Sequence, residues 1–232
     1  MRGREVSRLE GFSDAVIGFA LTLLVVSLEV PDSFGALKAT LGGFLPFAAT
    51  FAIVGWIWFE HYLFFRRFPL EDGWTVFLNL VLLFVVLFFV YPLKFIFTRL
   101  LGRLAGLGPA GGEPFHGMSA GDSRLLMLAY GAGFVAVFSI LALFYRNAIR
   151  RRDELALDEL ELFDARGGLR RQCVSVAVGL VSLVLCVVVP PWGLWAPGIV
   201  YFALGPAHGV NGFRHGRARD RLVASRSAPA AA

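Results

Sequence analysis

Residues 172–213, QCVSVAVGLVSLVLCVVVPPWGLWAPGIVYFALGPAHGVNGF, run for 42 positions without an Asp, Glu, Lys or Arg. A helix crosses a hydrocarbon core of about 30 Å with about 20 apolar residues, so this run holds two crossings. Pro190 and Pro191 divide it, because proline has no amide hydrogen for the preceding turn and clashes with it. Two spans result, 172–189 and 192–213. Working outward, residues 39–59, 73–93 and 125–145 are each 21 residues long and also free of charge. They predict spans at about 42–65, 73–98 and 124–146. The stretch Gly11–Val30 adds a first span at about 9–30, with Asp14 inside it. The fold class is therefore all-α, a polytopic membrane protein with six transmembrane helices.

Composition agrees. Of 232 residues 57% are hydrophobic and only 17% charged, against about a quarter charged in soluble domains. An outer-membrane barrel would alternate apolar and polar residues over segments of about 10 residues, which these continuous runs do not. Arg2, Arg4 and Arg8 before an apolar run resemble a secretory signal, but Asp14 interrupts the run and no small-residue cleavage site follows Val30. A retained helix is expected.

Basic residues orient the spans. With six crossings, the N-terminus, the 2–3 loop, the 4–5 loop and the C-terminal tail share one side and hold 17 of the 22 lysines and arginines. Lys38, Lys94, Arg99, Arg103 and Arg124 fall on the other. Positive charge marks the cytoplasmic side, so both termini are expected there. The arginines flank spans instead of forming one stripe, so no nucleic acid is expected as partner. Arg outnumbers Lys 20 to 2, which suggests a GC-rich prokaryotic genome and a plasma membrane.

Between the spans, loop 99–122 is rich in Gly and Pro and reads as a flexible connection. Residues 150–163, RRRDELALDELELF, read as a prolongation of helix four, stopped by Gly167-Gly168. Residues 1–213 are expected to form one six-span transmembrane domain, and 214–232 a basic, disordered cytoplasmic tail. Cys173 and Cys186 lie near opposite ends of one short span and read as small apolar packers.

The first span carries the most information. Ser7-Arg-Leu-Glu10 fits a capping box, so the helix starts at Ser7. Asp14 then lies about 10 Å along the axis at about 1.5 Å per residue, beyond the turn where the helix dipole stabilises an acid. An ionisable residue inside a span is a functional-site hypothesis. At about 100° per residue, Arg8 and Asp14 point about 120° apart and need partners on other helices or subunits. Phe12, Ala15, Phe19, Leu23 and Val26 share one face with Thr22 at its edge, while Ser13 and Asp14 stand behind it. By periodicity alone this stripe packs on lipid or on a neighbouring helix.

Arg8-x-x-x-Phe12-Ser13-Asp14, followed by Thr22-Leu-Leu-Val-Val and Leu28-Glu29-Val30-Pro31, resembles the signature of the transmembrane protein 175 family, whose members include endosomal/lysosomal and prokaryotic potassium channels. The similarity continues with Trp58-x-x-His61-x-x-x-Phe65, with Asp72 and Asn79, and with Pro92, covering about residues 4–95. The resemblance implies a homotetramer of six-span subunits in which four copies of helix one line a pore. It implies a constriction at Phe19, Leu23 and Val26, lined also by Ala15, with the Thr22 hydroxyl contributing to cation preference. It further implies that Arg8, Phe12, Ser13, Asp14, Trp58, His61 and Asn79 form a network between helices. Phe19 departs from the usual Ile or Leu and makes a bulkier ring.

The shared depth of Arg8, Asp14, His61 and Asn79, and the cost of unpaired polar groups in lipid, support a polar network independently. No Thr-Val-Gly-Tyr-Gly segment offers a carbonyl filter. His-Glu-x-x-His and Walker A patterns are absent as well, so no metal site, cofactor or enzyme is expected. The expected partners are further copies of the chain, membrane lipid and permeant potassium or other monovalent cations. A secondary transporter is the competing reading, although no motif repeat relates 1–98 to 124–213 and helix one has no internal break. A non-conducting scaffold subunit is the third.

Overall fold

The computed structural model describes residues 7–26, 32–35, 37, 41, 43–104 and 118–227, with the side chains of residues 26 and 102–104 outside the description. Every long element is a helix, and no strand occurs among the described residues. They are α1 (Arg8–Val26), α2 (Phe44–Phe65), α3 (Gly73–Leu104), α4 (Ala120–Arg150), α5 (Glu159–Val188) and α6 (Leu204–Ser227). Four are long and apolar enough to cross a membrane by themselves: α2, the Gly73–Leu101 part of α3, α4 and α5. The apolar sequence before α6 is helical too, in the short segments Pro191–Gly193, Ala196–Ile199 and Val200–Ala203, the last two running directly into α6. Pro191 and Pro197 each lie at the start of one of these segments, where a helix needs no amide donor.

The chain forms two compact units, Met1–Val137 and Phe138–Ala232, whose boundary falls within α4. In the first unit α1 packs on both α2 and α3, which pack on each other. The capping box at the start of α1 is present: the Ser7 amide donates to Glu10 Oε2 at 2.9 Å, and the Glu10 amide to Ser7 Oγ at 3.2 Å. Asp72 caps α3, accepting from the amides of Trp74 and Thr75 and from the Thr75 hydroxyl. The α3 helix accommodates Pro92 and continues to Leu104, beyond the end expected at 98. The Gly/Pro-rich segment 106–112 lies outside the described residues.

The second unit corrects three expectations. First, α4 ends at Arg150 and a turn over 151–156 follows, with Ala156 in the left-handed region at φ 46°. Asp158 and Glu161 then form a reciprocal capping box that starts α5, so residues 159–163 belong to helix five and not to helix four. Second, Gly167-Gly168 lies inside α5 and ends nothing. A β-carbon at Gly168 would collide with the Tyr145 ring on α4, and one at Gly167 with the His215 ring on α6. The glycines let two partners lie directly on the α5 backbone. Third, residues 214–227 of the expected disordered tail are helical. They are held from outside their own sequence: Asp164 of α5 meets His215 Nε2 at 3.0 Å and accepts from Arg219 Nε at 3.2 Å. Cys186 is buried, as a packing residue should be, but Cys173 is exposed.

Candidate functional site: the first helix and its polar anchor

The buried positions of α1 are Ser13, Ile17, Ala20 and Leu24, a spacing that selects one face of a 3.6-residue helix. Setting Phe19 at zero, these four point between about 100° and about 160°. Phe12, Ala15, Phe19, Thr22 and Leu23 point within about 60° of zero, so they stand on the opposite side. All five are exposed on the protomer. Phe19 leaves 68% of its surface uncovered and Leu23 48%. Val26 ends the helix, and its side chain lies outside the described residues. The apolar stripe of α1 is thus the face its own subunit leaves bare.

The buried face is held by polar groups at one level. His61 Nε2 lies 2.8 Å from Asn79 Oδ1, and Asn79 Nδ2 donates to Ser13 Oγ at 2.8 Å. Ser13 Oγ donates in turn to the Leu9 carbonyl at 2.7 Å. Because Oδ1 of an amide only accepts, His61 carries a proton on Nε2 and the three bonds run in one direction, from α2 through α3 to α1. Ser13, His61 and Asn79 are all buried. Water is shut out of this relay, and each member depends on the next. The His61 ring also lies 4.5 Å, centre to centre, from Phe65, which fixes its plane.

Asp14 has a separate partner. Trp58 Nε1 donates to Asp14 Oδ1 at 2.7 Å, a short bond to a charged acceptor. The indole stacks on Tyr62 with centroids 5.7 Å apart, and the Tyr62 hydroxyl accepts from Arg66 Nη1 at 2.8 Å. The acid is therefore tied to α2 through an aromatic ladder that ends on a cation.

The structure brings together Ser13, His61 and Asn79 in one relay and Asp14 with Trp58 in another contact. Phe12 is exposed at the near end of the bare stripe, and Arg8 is exposed without an ion-pair partner among the described residues. Thr22 is exposed too, and its hydroxyl donates to the Gly18 carbonyl at 2.9 Å. That bond uses the hydroxyl proton and leaves the oxygen lone pairs facing outward. Gly11 and Gly18, beside the stripe, have no atom within 4 Å of where a β-carbon would stand. Nothing among the described residues of the protomer requires them to be small. No group of three or more His, Cys, Asp or Glu residues suited to a metal ion occurs among the described residues.

Sequence reasoning missed the polar contacts of α5 with α6 and with the short helical segment Ala196–Ile199 before it. Ser175 Oγ lies 3.1 Å from His208 Nε2, and Ser182 Oγ donates to the Pro197 carbonyl at 2.9 Å. The signal was present as buried small and polar residues at helical spacing, Ala165, Gly168, Gln172, Ser175, Gly179 and Ser182, the composition by which spans associate.

Known proteins resemble this arrangement. The family model described as endosomal/lysosomal potassium channel TMEM175 matches residues 8–89, the segment that holds the relay and the bare stripe. A potassium channel of Marivirga tractuosa is 36% identical over 212 residues, which are 88% of this chain and 85% of that protein. A potassium channel of Streptomyces collinus is 33% identical over 94 residues, 38% of this chain and 46% of that protein. Among solved structures, a variant of the potassium channel MtTMEM175, crystallised with a nanobody–MBP fusion, superposes with a TM-score of 0.80 at 35% identity. That match covers 93% of this chain and 96% of the other. A TMEM175 homolog from Chamaesiphon minutus shares the fold with a TM-score of 0.59 at 21% identity, over 90% of this chain and 96% of that one.

Proposed function

Because the chain belongs to the TMEM175 family of endosomal/lysosomal potassium channels, we propose that it is a potassium-preferring channel whose pore is formed by four copies of α1. It is a multi-pass membrane protein, and its relatives by sequence are prokaryotic channels. The observation that carries the pore assignment is the bare stripe of α1. Within the subunit α1 uses only Ser13, Ile17, Ala20 and Leu24 for packing, and Phe19, Thr22 and Leu23 remain free to face a shared axis. Gly11 and Gly18 support close approach of another copy, since small residues let helices meet in a membrane where hydrophobicity gives no driving force. The relay through Ser13 and the Asp14–Trp58 bond hold the rotation of α1, so that the stripe points one way.

In such a pore the rings of Phe19 and Leu23, continued by Val26, are the constriction. Apolar rings gate by dewetting, and a narrow one strips part of an ion's water. Potassium holds its water less tightly than sodium and loses less there. The outward lone pairs of Thr22, just beside the rings, favour cations over anions. No carbonyl filter is involved, both termini lie in the cytoplasm, and potassium is cargo, not a cofactor.

Purified protein in proteoliposomes tests this directly. The expected result is potassium flux exceeding sodium flux, with Phe19→Asn or Leu23→Asn raising total flux and lowering the preference. Absence of any flux would favour a scaffold subunit, and turnover that saturates with a substrate would favour a transporter.

A further inference from the structure

The outward faces of α5 and α6 change character at one level. On α5 the exposed positions Cys173, Ala177, Leu180 and Val184 are apolar or small, and the same face continues toward the helix start with Arg170 and Arg166. On α6 the exposed Val210 and Phe213 give way to Arg214, Arg217 and Arg221. The two helices run antiparallel, and their register is set by the Ser175–His208 and Asp164–Arg219 contacts. Arg166 and Arg170 lie between 164 and 175, and Arg214 and Arg217 between 208 and 219, so all four occupy the same slab. Arg146 of α4, next to the Tyr145 that covers Gly168, joins them there.

Charge pairing separates these arginines from their neighbours. Arg151 pairs with Glu154, Arg152 with Asp153, and Arg219 turns inward to Asp164. Arg146, Arg166, Arg170, Arg214, Arg217 and Arg221 are exposed, and none has a carboxylate partner among the described residues. Arg217 folds back so that its guanidinium stands 4.7 Å from the centre of the exposed Phe213 ring. An aromatic ring at the edge of the apolar face with a cation over it suits the boundary between acyl chains and headgroups.

We propose that this belt binds anionic phospholipid headgroups, whose phosphates supply the missing counter-charge. The attraction is one of charge, as for basic residues beside anionic headgroups, and the placement of these arginines where the outward faces stop being apolar makes a lipid, not a soluble anion, the ligand. The proposal rests on the spans of the second unit and not on conduction, so it stands or falls separately from the pore.

The test uses the full-length protein reconstituted in an equimolar mixture of phosphatidylglycerol and phosphatidylcholine, with the co-purifying lipids counted by native mass spectrometry. Phosphatidylglycerol is expected to be enriched by about twofold or more, because basic residues at the membrane surface attract anionic lipid. Replacing the four central arginines together (R166Q/R170Q/R214Q/R217Q) is expected to return the ratio to that of the bulk. The all-lysine counterpart, and R151Q/R152Q in the paired turn, are expected to keep the enrichment. Should the fourfold glutamine variant not fold, wild-type protein in about 1 M salt, where the Debye length is about 3 Å, is expected to lose it. No enrichment in wild type at low salt, enrichment unchanged in the glutamine variant or in high salt, or displacement of the lipid by inorganic phosphate would each overturn the proposal.

Discussion

Asn79 joins three helices with one side chain, accepting from His61 of α2 and donating to Ser13 of α1. Removing it leaves a buried donor and a buried acceptor without partners, a loss of about 1–3 kcal/mol for each unsatisfied group. Asn79→Leu is accordingly expected to lower the thermal midpoint of the purified protein well beyond Ser13→Ala, where the serine's own groups leave with it. The Asp14 contact makes a different prediction. Asp14→Asn keeps an oxygen to accept from Trp58 Nε1 and is expected to change stability by less than about 1 kcal/mol, whereas Trp58→Phe forfeits the bond to a charged acceptor and is expected to lose about 1.5–3 kcal/mol. Thermal unfolding in detergent checks both, and equal losses would show that the charge and not the bond matters. This level was partly legible beforehand. Ser7 and Glu10 advertise a cap because both partners lie within one turn. The partners of Ser13 and Asp14 lie 66 and 44 residues away, so burial in a span shows that partners must exist and only similarity to a known motif suggests which.

At the scale of elements, α5 shows where local reading fails. RRRDELALDELELF has good helix formers throughout, and the charge run reads as a solvated continuation of α4. The break comes from Asp158-x-x-Glu161, a capping signature that the run of charges masks, together with the left-handed turn at Ala156. Gly167 and Gly168 look like a stop because glycine weakens helices by about 1 kcal/mol. Their reason is the close approach of His215 and Tyr145, which no local pattern contains. Gly168→Ala is therefore expected to destabilise the second unit by about 1–3 kcal/mol, the usual penalty for overpacking. Combining it with Tyr145→Ala is expected to remove the conflict, so that the double variant loses less than the sum of the two changes. A strictly additive result would mean that ring and helix do not touch. Gly18 behaves oppositely: no described residue comes within 4 Å of a β-carbon there. Gly18→Leu is expected to leave the subunit folded but to shift the oligomer toward smaller species in light scattering, because in the proposed tetramer the added side chain would stand where another copy approaches.

For the molecule as a whole, hydropathy shows helices in a membrane and the arginine asymmetry suggests their direction, since both depend on bulk solvent more than on particular neighbours. What it does not show is which face of which helix meets a second copy, because apolar side chains look alike whether lipid, protein or a dewetted channel covers them. In the proposed pore Phe19 and Leu23 look into a shared conduit while Ile17, Ala20 and Leu24 are packed away. The most direct measurement is block of potassium flux by a water-borne thiol reagent at single cysteines along α1, in protein whose Cys173 and Cys186 have been replaced. Rapid block is expected at Ala15→Cys, Phe19→Cys, Thr22→Cys and Leu23→Cys, and none at Ile17→Cys, Ala20→Cys and Leu24→Cys. Block confined to positions 17, 20 and 24, or equal at all seven, would contradict it.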